Sequence, residues 1–84
     1  MSRTYLTIAF LFSVTIIFGQ NTISEAFSKS YQAEYNKEYA DAIAEIDHIY
    51  SSDSYEINLR LGWLYYSNGD HVKSMNYYSN AIKI

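Results

Sequence analysis

The chain has 84 residues, a formal net charge of -3, ten tyrosines, and neither cysteine nor proline. This length allows at most one small domain. The lack of cysteine excludes disulfides, thiolate metal ligands and a cysteine nucleophile. The acidic balance excludes a basic surface that coats nucleic acid, and an aromatic content of 18% is too high for a disordered tail.

Residues 1–19 differ in character from the rest of the chain. Arg3 is the one charge of a short polar start, and residues 6–18 are apolar apart from Thr and Ser. This stretch is shorter than the roughly 20 residues that a membrane-spanning helix needs. The pattern predicts a signal peptide cleaved between Gly19 and Gln20, and export to the periplasm or the cell exterior. An uncleaved membrane anchor over residues 5–18 is the alternative.

The remaining sequence predicts an all-α fold of four helices. Apolar side chains spaced by three and four residues indicate a first helix from near Ile23 and a second from Tyr39. A third helix is predicted over Tyr55–Ser67, with Asp53 as its N-cap, and a fourth after the Asn68–Asp70 turn. The third helix is apolar on two faces and therefore requires cover on two sides.

The two halves of this helical region have matching spacing when Ala42 is aligned with Ser74. We call this superposition the repeat alignment. A helix–turn–helix unit of about this length is typical of tetratricopeptide repeats. The second half carries the family's Leu61-Gly62 pair, its following Tyr65 and a Gly-Asp turn. The chain therefore resembles the tetratricopeptide repeat family.

The resemblance implies two repeats, over residues 23–54 and 55–84, each an antiparallel helix–turn–helix pair, that together start an α-α superhelix. It also identifies the positions at which side chains pack between the helices. These packing positions are Ala42, Leu61, Gly62, Tyr65, Ser74, Tyr78 and Ala81.

The first repeat departs from the family pattern. Ser30 stands at the position of Gly62, and Lys37 stands where the turn glycine is expected. We expect looser packing in this half, so that Ser30→Leu is tolerated better than Gly62→Leu. We also expect the array to continue past Ile84, because such arrays normally need three or more repeats to bury their core. Cover of the last helix by a partner or by a second copy is the alternative.

The resemblance implies protein binding rather than catalysis, through a groove lined by the first helix of each repeat. The groove positions are Phe27, Tyr31, Glu34, Tyr35, Glu56, Leu59, Trp63 and Tyr66. This set is apolar and aromatic with an acidic edge, which suits an apolar or helical segment of a protein partner. Chaperone-binding members of the family have asparagine at the positions of Tyr31 and Trp63, so a carboxylate clamp is not expected. In the simpler alternative, these aromatic side chains only pack between the repeats.

No cofactor, metal or catalytic site is predicted. His48 and His71 lack the spacing of metal ligands, and the acidic residues of the second helix indicate a solvated face. Nucleic acid is disfavoured by the acidic charge. The sequence thus predicts an exported scaffold for protein–protein interaction. The alternatives are the extracytoplasmic sensor end of a larger signalling enzyme and a self-associating structural module.

Overall fold

The computed structural model describes residues 22–84, and the predicted signal peptide over residues 1–19 lies outside this range. The described chain is all-α and contains no strand, which confirms the predicted fold class. Its helices are α1 (residues 22–35), α2 (Tyr39–Asp47), α3 (Tyr55–Ser67) and α4 (His71–Lys83). None of these described helices is long and apolar enough to cross a membrane.

The central helix is α3, which packs against both α2 and α4. The core is a cluster of aliphatic side chains from α2 and α3, namely Ala42, Ile43, Ile46, Ile57, Leu61 and Leu64. Full burial of one such large side chain stabilises the fold by about 1.5–3 kcal/mol. On α1 the fully buried residues are instead small, Ala26 and Ser30, while Phe27 is half-buried and packs against the core.

A turn with a left-handed residue joins α1 to α2. Lys37 has a positive φ of 62°, a conformation that is unfavourable for a residue with a Cβ atom. Its backbone N–H donates to the carbonyl of Glu34, and the N–H of Glu38 donates to that of Ala33, both at 2.8 Å. These two bonds define a Schellman motif, which satisfies carbonyl groups at the C-terminus of α1.

The turn from α3 to α4 has the same geometry at the equivalent positions. Gly69 has a φ of 85°, and its N–H donates to the carbonyl of Tyr66 at 3.1 Å. The N–H of Asp70 donates to the carbonyl of Tyr65 at 2.9 Å. Asp70 is also the N-cap of α4. The predicted turn is therefore confirmed, and Lys37 takes the backbone conformation that Gly69 takes in the second turn.

Small residues let the two helices of each pair approach closely. In the first pair, α1 and α2, the hydroxyl of Ser30 donates to the carbonyl of Ala42 at 3.0 Å. In the second pair, α3 and α4, the hydroxyl of Ser74 donates to the carbonyl of Gly62 at 2.8 Å. The four residues occupy equivalent positions in the repeat alignment. One serine bridges the helices in each pair, from α1 in the first and from α4 in the second.

The expectation that the first pair packs loosely around Ser30 is wrong. Ser30 is fully buried and bonded to α2, so a leucine there would lose a hydrogen bond as well as overpack. Gly62 is confined as well, since a Cβ atom at this position would lie 2.7 Å from the ring of Tyr78. Leucine is therefore costly at both positions.

Hydrogen bonds of Asn58 fix the connection between α2 and α3. Its side chain is fully buried and donates to the carbonyls of Ser52 at 3.3 Å and Ser54 at 2.8 Å. The hydroxyl of Tyr50 donates to its Oδ1 at 3.1 Å. The N-cap of α3 is Ser54, whose hydroxyl accepts from the Ile57 N–H at 3.2 Å, so the prediction of Asp53 as the cap is wrong by one residue.

The positions assigned to repeat packing lie in or beside the interior. Most of these residues are buried, namely Ala42, Leu61, Gly62, Ser74 and Ala81, and two are half-buried, Tyr65 and Tyr78. The ring of Tyr65 stacks on that of Tyr77 with centroids 5.4 Å apart. Burial raises the pKa of Tyr77, and the neighbouring Tyr65, Asp47 and Tyr50 raise it further. These aromatic side chains extend the core on the α4 side.

The positive φ of Lys37 leads to a paired prediction. Lys37→Gly should stabilise the protein by about 1 kcal/mol, because glycine adopts this conformation without a Cβ clash. Gly69→Lys should destabilise it by about 1–2 kcal/mol through backbone strain alone, since no atom lies within 4 Å of a Cβ placed there. Urea unfolding followed by circular dichroism measures both changes. If the two substitutions changed the free energy of unfolding by the same amount and in the same direction, the shared turn geometry would be contradicted.

Candidate functional site

A cavity of about 320 Å³ lies between α1 and α3. Its lining comes from Phe27 and Tyr31 of α1 and from Glu56, Leu59, Arg60 and Trp63 of α3. We call this the α1–α3 groove. The lining residues follow spacings of three and four along each helix, which places them on one helical face.

Aromatic side chains form much of the groove wall. The rings of Phe27 and Tyr31 lie 6.3 Å apart, and Trp63 stacks on Tyr66 with centroids 6.2 Å apart. Trp63 remains 46% exposed and Leu59 40% exposed. Trp63 and Leu59 therefore retain surface that a ligand can cover. The alternative in which the groove residues only pack between the repeats does not account for this exposed surface.

The base of the groove contains Arg60, which is only 8% exposed. Its Nη1 donates to the Oε1 of Glu34 at 2.6 Å, and its Nη2 and Nε donate to the hydroxyl of Ser30 at 3.0 and 3.3 Å. Its guanidinium carbon lies 4.1 Å from the ring centroid of Tyr31, within the range of a cation–π interaction. A buried guanidinium is costly unless it is paired in this way.

Glu34 connects this arginine to the groove wall. Its Oε2 accepts from the indole Nε1 of Trp63 at 2.7 Å, so the carboxylate bridges two residues of α3. Burial raises the pKa of Glu34, but the hydrogen bonds from Trp63 and Arg60 and the charge of Arg60 outweigh burial and leave the pKa below its ordinary value. The carboxylate is thus held ionised, and it fixes the orientation of the indole.

The structure brings most of the predicted groove residues together. The five that line the groove are Phe27, Tyr31, Glu56, Leu59 and Trp63. Tyr66 stacks on Trp63 without lining the groove, and Tyr35 is 88% exposed and lies away from it. Glu34 is an ion-pair partner rather than part of an acidic edge.

Sequence reasoning missed Arg60, the residue on which the geometry of the groove depends. A signal for it does exist. Arg60 is the one cation of α3 and stands between apolar neighbours, Leu59 and Leu61, on a helix that is apolar on two faces. An arginine in such a position needs a carboxylate on a neighbouring helix. Glu34 is the acidic residue of α1 that lies within reach of its guanidinium group.

The arrangement suits binding of an apolar group. Arg60 and Glu34 neutralise each other at the base, and the remaining wall is aromatic or aliphatic. Glu56 is exposed at the rim and can attract a cationic residue of a ligand. Among residues 22–84 no group of three or more His, Asp or Glu side chains could hold a metal ion.

Comparisons with protein-family models, with curated proteins and with solved structures find no significant match to this chain.

The lowered pKa of Glu34 predicts a specific pH dependence of stability. A carboxylate whose pKa is lower in the folded state adds stability above its ordinary pKa of about 4.3, and this stability is lost as the pH falls through the folded-state pKa. Glu34→Gln should therefore destabilise the protein at pH 7, and the difference from wild type should shrink below about pH 4.

Unfolding free energies from pH 2 to pH 8 measure this difference. Glu38→Gln is the matched control, because Glu38 is exposed, and its difference from wild type should vary less with pH. A difference for Glu34→Gln that stays constant across this range would contradict the role given to the ion pair.

Proposed function

We propose that residues 22–84 form two tetratricopeptide-like helix pairs that act as a scaffold for protein–protein interaction. The α1–α3 groove is the binding site for an apolar segment of a partner protein. The observation that carries this proposal is a cavity of about 320 Å³ whose wall is aromatic and partly exposed and whose buried charges are already paired.

Repeated local geometry supports the two helix pairs. The left-handed turn residues Lys37 and Gly69 are equivalent in the repeat alignment, and so are the serine-bridged positions of the two pairs. In the groove, Phe27 is equivalent to Leu59 and Tyr31 to Trp63. The two pairs thus present equivalent large side chains toward one ligand.

The chemistry of the groove supports an apolar ligand segment. Partly exposed tryptophan and tyrosine side chains supply much of the binding energy in protein interfaces. A ligand that fills the groove gains apolar contact without breaking the Arg60–Glu34 pair. A cationic side chain next to the apolar one would in addition meet the exposed Glu56 at the rim.

Export of this scaffold is part of the proposal and rests on residues 1–19. Their polar start, Arg3 and the apolar stretch that follows have the pattern of a signal peptide. Mass spectrometry of the protein recovered from the expressing cell tests the cleavage site. We expect a mature chain that starts at Gln20. Peptides that contain Arg3 in the recovered protein would favour the membrane anchor instead.

The single tryptophan of the chain lies in the groove wall and can report occupancy. Peptides selected from a tryptophan-free display library should bind the wild-type protein and shift the emission of Trp63 to the blue. Leu59→Asp should weaken that binding at least about tenfold, which corresponds to about 1.4 kcal/mol.

Tyr35→Asp is the matched control, because Tyr35 is 88% exposed and does not line the groove. It should leave peptide affinity unchanged. Selected peptides that bind both variants as well as wild type would place the binding surface elsewhere and reject the groove.

A further inference from the structure

Glu56 brings an unneutralised charge to the rim of the α1–α3 groove. The other charged residue of the lining, Arg60, pairs with Glu34 at 2.6 Å. Glu56 is exposed, no cation of residues 22–84 pairs with it, and its carboxylate accepts a hydrogen bond only from the hydroxyl of Ser54 at 3.4 Å. The groove therefore presents one net negative charge to a ligand.

The spacing along α3 makes this free carboxylate informative. Glu56 precedes Arg60 by four residues, which is the order and spacing at which a glutamate and a cation pair along a helix. Arg60 instead bonds to Glu34 and Ser30 of α1, beneath the groove. The acid could also serve the helix itself, since Glu56 lies in the first turn of α3, where the helix dipole favours negative charge. Its effect on binding must therefore be measured apart from its effect on stability.

The contacts between α1 and α3 place an aromatic ring beside this carboxylate. The hydrogen bonds from α3 to Ser30 and Glu34 span 30 and 29 residues of sequence. Because these separations are nearly equal, the two helices run in the same direction. Phe27 has the same separation from Glu56 and therefore lies level with it on the opposite wall of the groove. A cation bound by Glu56 would also meet the ring of Phe27.

The two ends of the groove differ in charge. Glu56 and Trp63 are two helical turns apart on α3, about 10.5 Å along the helix axis, and Leu59 lies between them on the same face. The Trp63 end is neutral, because the Glu34 carboxylate that accepts from its indole is paired with Arg60. A ligand that carries a cation and a large apolar side chain this far apart would complement both ends.

The walls of the groove favour a helical ligand over an extended one. Both walls are α-helices, whose backbone groups are bonded within each helix, so they offer no strand edge for a ligand to extend. An extended segment would leave backbone groups without partners against this surface, whereas a helix bonds its own. On a helix, a separation of about 10.5 Å corresponds to seven positions on one face.

A second copy of the described chain does not offer this pattern. Within the same helix, the residues seven positions from its lysines are Thr22, Asn80 and Asn76, all of which are polar. The exposed lysines of its helices to which they correspond are Lys29, Lys73 and Lys83. The pattern that fits the groove must therefore come from a different protein.

We propose that the α1–α3 groove selects a cationic amphipathic helix of a partner protein. The partner helix carries a lysine or arginine that pairs with Glu56 and, seven positions from it, a large apolar residue that covers Trp63. This inference rests on the proposed function of the groove and adds to it the charge and the spacing of the ligand.

Two tryptophan-free libraries of helical peptides provide the test, one without Asp and Glu and the other without Lys and Arg. The wild-type protein should select binders from the first library, with Lys or Arg seven positions from a large apolar residue. Glu56→Lys should select from the second library instead. Glu56→Gln should bind the wild-type-selected peptides at least about threefold more weakly at about 0.1 M salt, and this difference should disappear at about 1 M salt, where exposed charges are screened.

Glu38→Lys and Glu38→Gln are the matched controls, because they make the same changes of charge at an exposed position that does not line the groove. Both should keep the wild-type preference between the libraries and the wild-type affinity. Urea unfolding of each variant confirms that the compared proteins are folded. Equal effects of the Glu38 and Glu56 substitutions would overturn the proposal, because net charge alone would then explain the preference.

Leu59→Asn separates this inference from the proposed function, since it removes apolar area without adding charge. Selected peptides that lose affinity for Leu59→Asn but bind Glu56→Gln as tightly as wild type would overturn the cationic helix and leave the groove as the binding site. Peptides that bind Leu59→Asn as tightly as wild type would reject the groove itself. Sedimentation of the free protein tests the other occupant. Association that Glu56→Lys removes would show that a second copy fills the groove, and would likewise overturn a partner helix.

Discussion

The structure depends on one buried cation. Arg60 brings a guanidinium into the contact between α1 and α3, where it must be bonded on several sides to be tolerated. Glu34, Ser30 and the ring of Tyr31 supply those partners, and all three belong to α1. The first helix is therefore held to α3 by these polar and cation–π contacts as well as by the packing of Phe27 and Ala33 against the core. The position of the groove follows from this attachment.

The same network prepares the groove for binding. Glu34 accepts a hydrogen bond from the indole of Trp63 while it pairs with Arg60, so one carboxylate orients the largest side chain of the wall. A ligand does not have to order this indole on binding, which lowers the entropic cost of association. Because the charges are paired beneath the aromatic surface, the groove presents apolar area without a buried charge to desolvate.

The helices and the Gly69 turn could be predicted from the sequence, because they depend on local periodicity or on a local backbone preference. The five lining residues of the groove were predicted only from the resemblance to tetratricopeptide repeats. Side-chain pairing across the fold was not predictable in this way. Arg60 and Glu34 are 26 residues apart, and the periodicity of each helix gives no sign that they meet. Ser30 stands where the second repeat has Gly62. Its hydroxyl bonds α1 to α2, whereas in the second pair the hydroxyl of Ser74 bonds α4 to α3. The repeat alignment pairs Ser30 with Gly62 and Ala42 with Ser74, so the donor of one bridge is equivalent to the acceptor of the other.

A double-mutant cycle on Arg60 and Glu34 tests most directly whether this ion pair joins the helices and orients Trp63. Arg60→Met, Glu34→Leu and the double variant are compared with wild type by urea unfolding and by the emission of Trp63. We expect a coupling free energy of at least about 1 kcal/mol, and an altered emission in each single variant, because both contacts belong to one network. Additivity of the two substitutions within about 0.5 kcal/mol, with unchanged emission, would contradict the account.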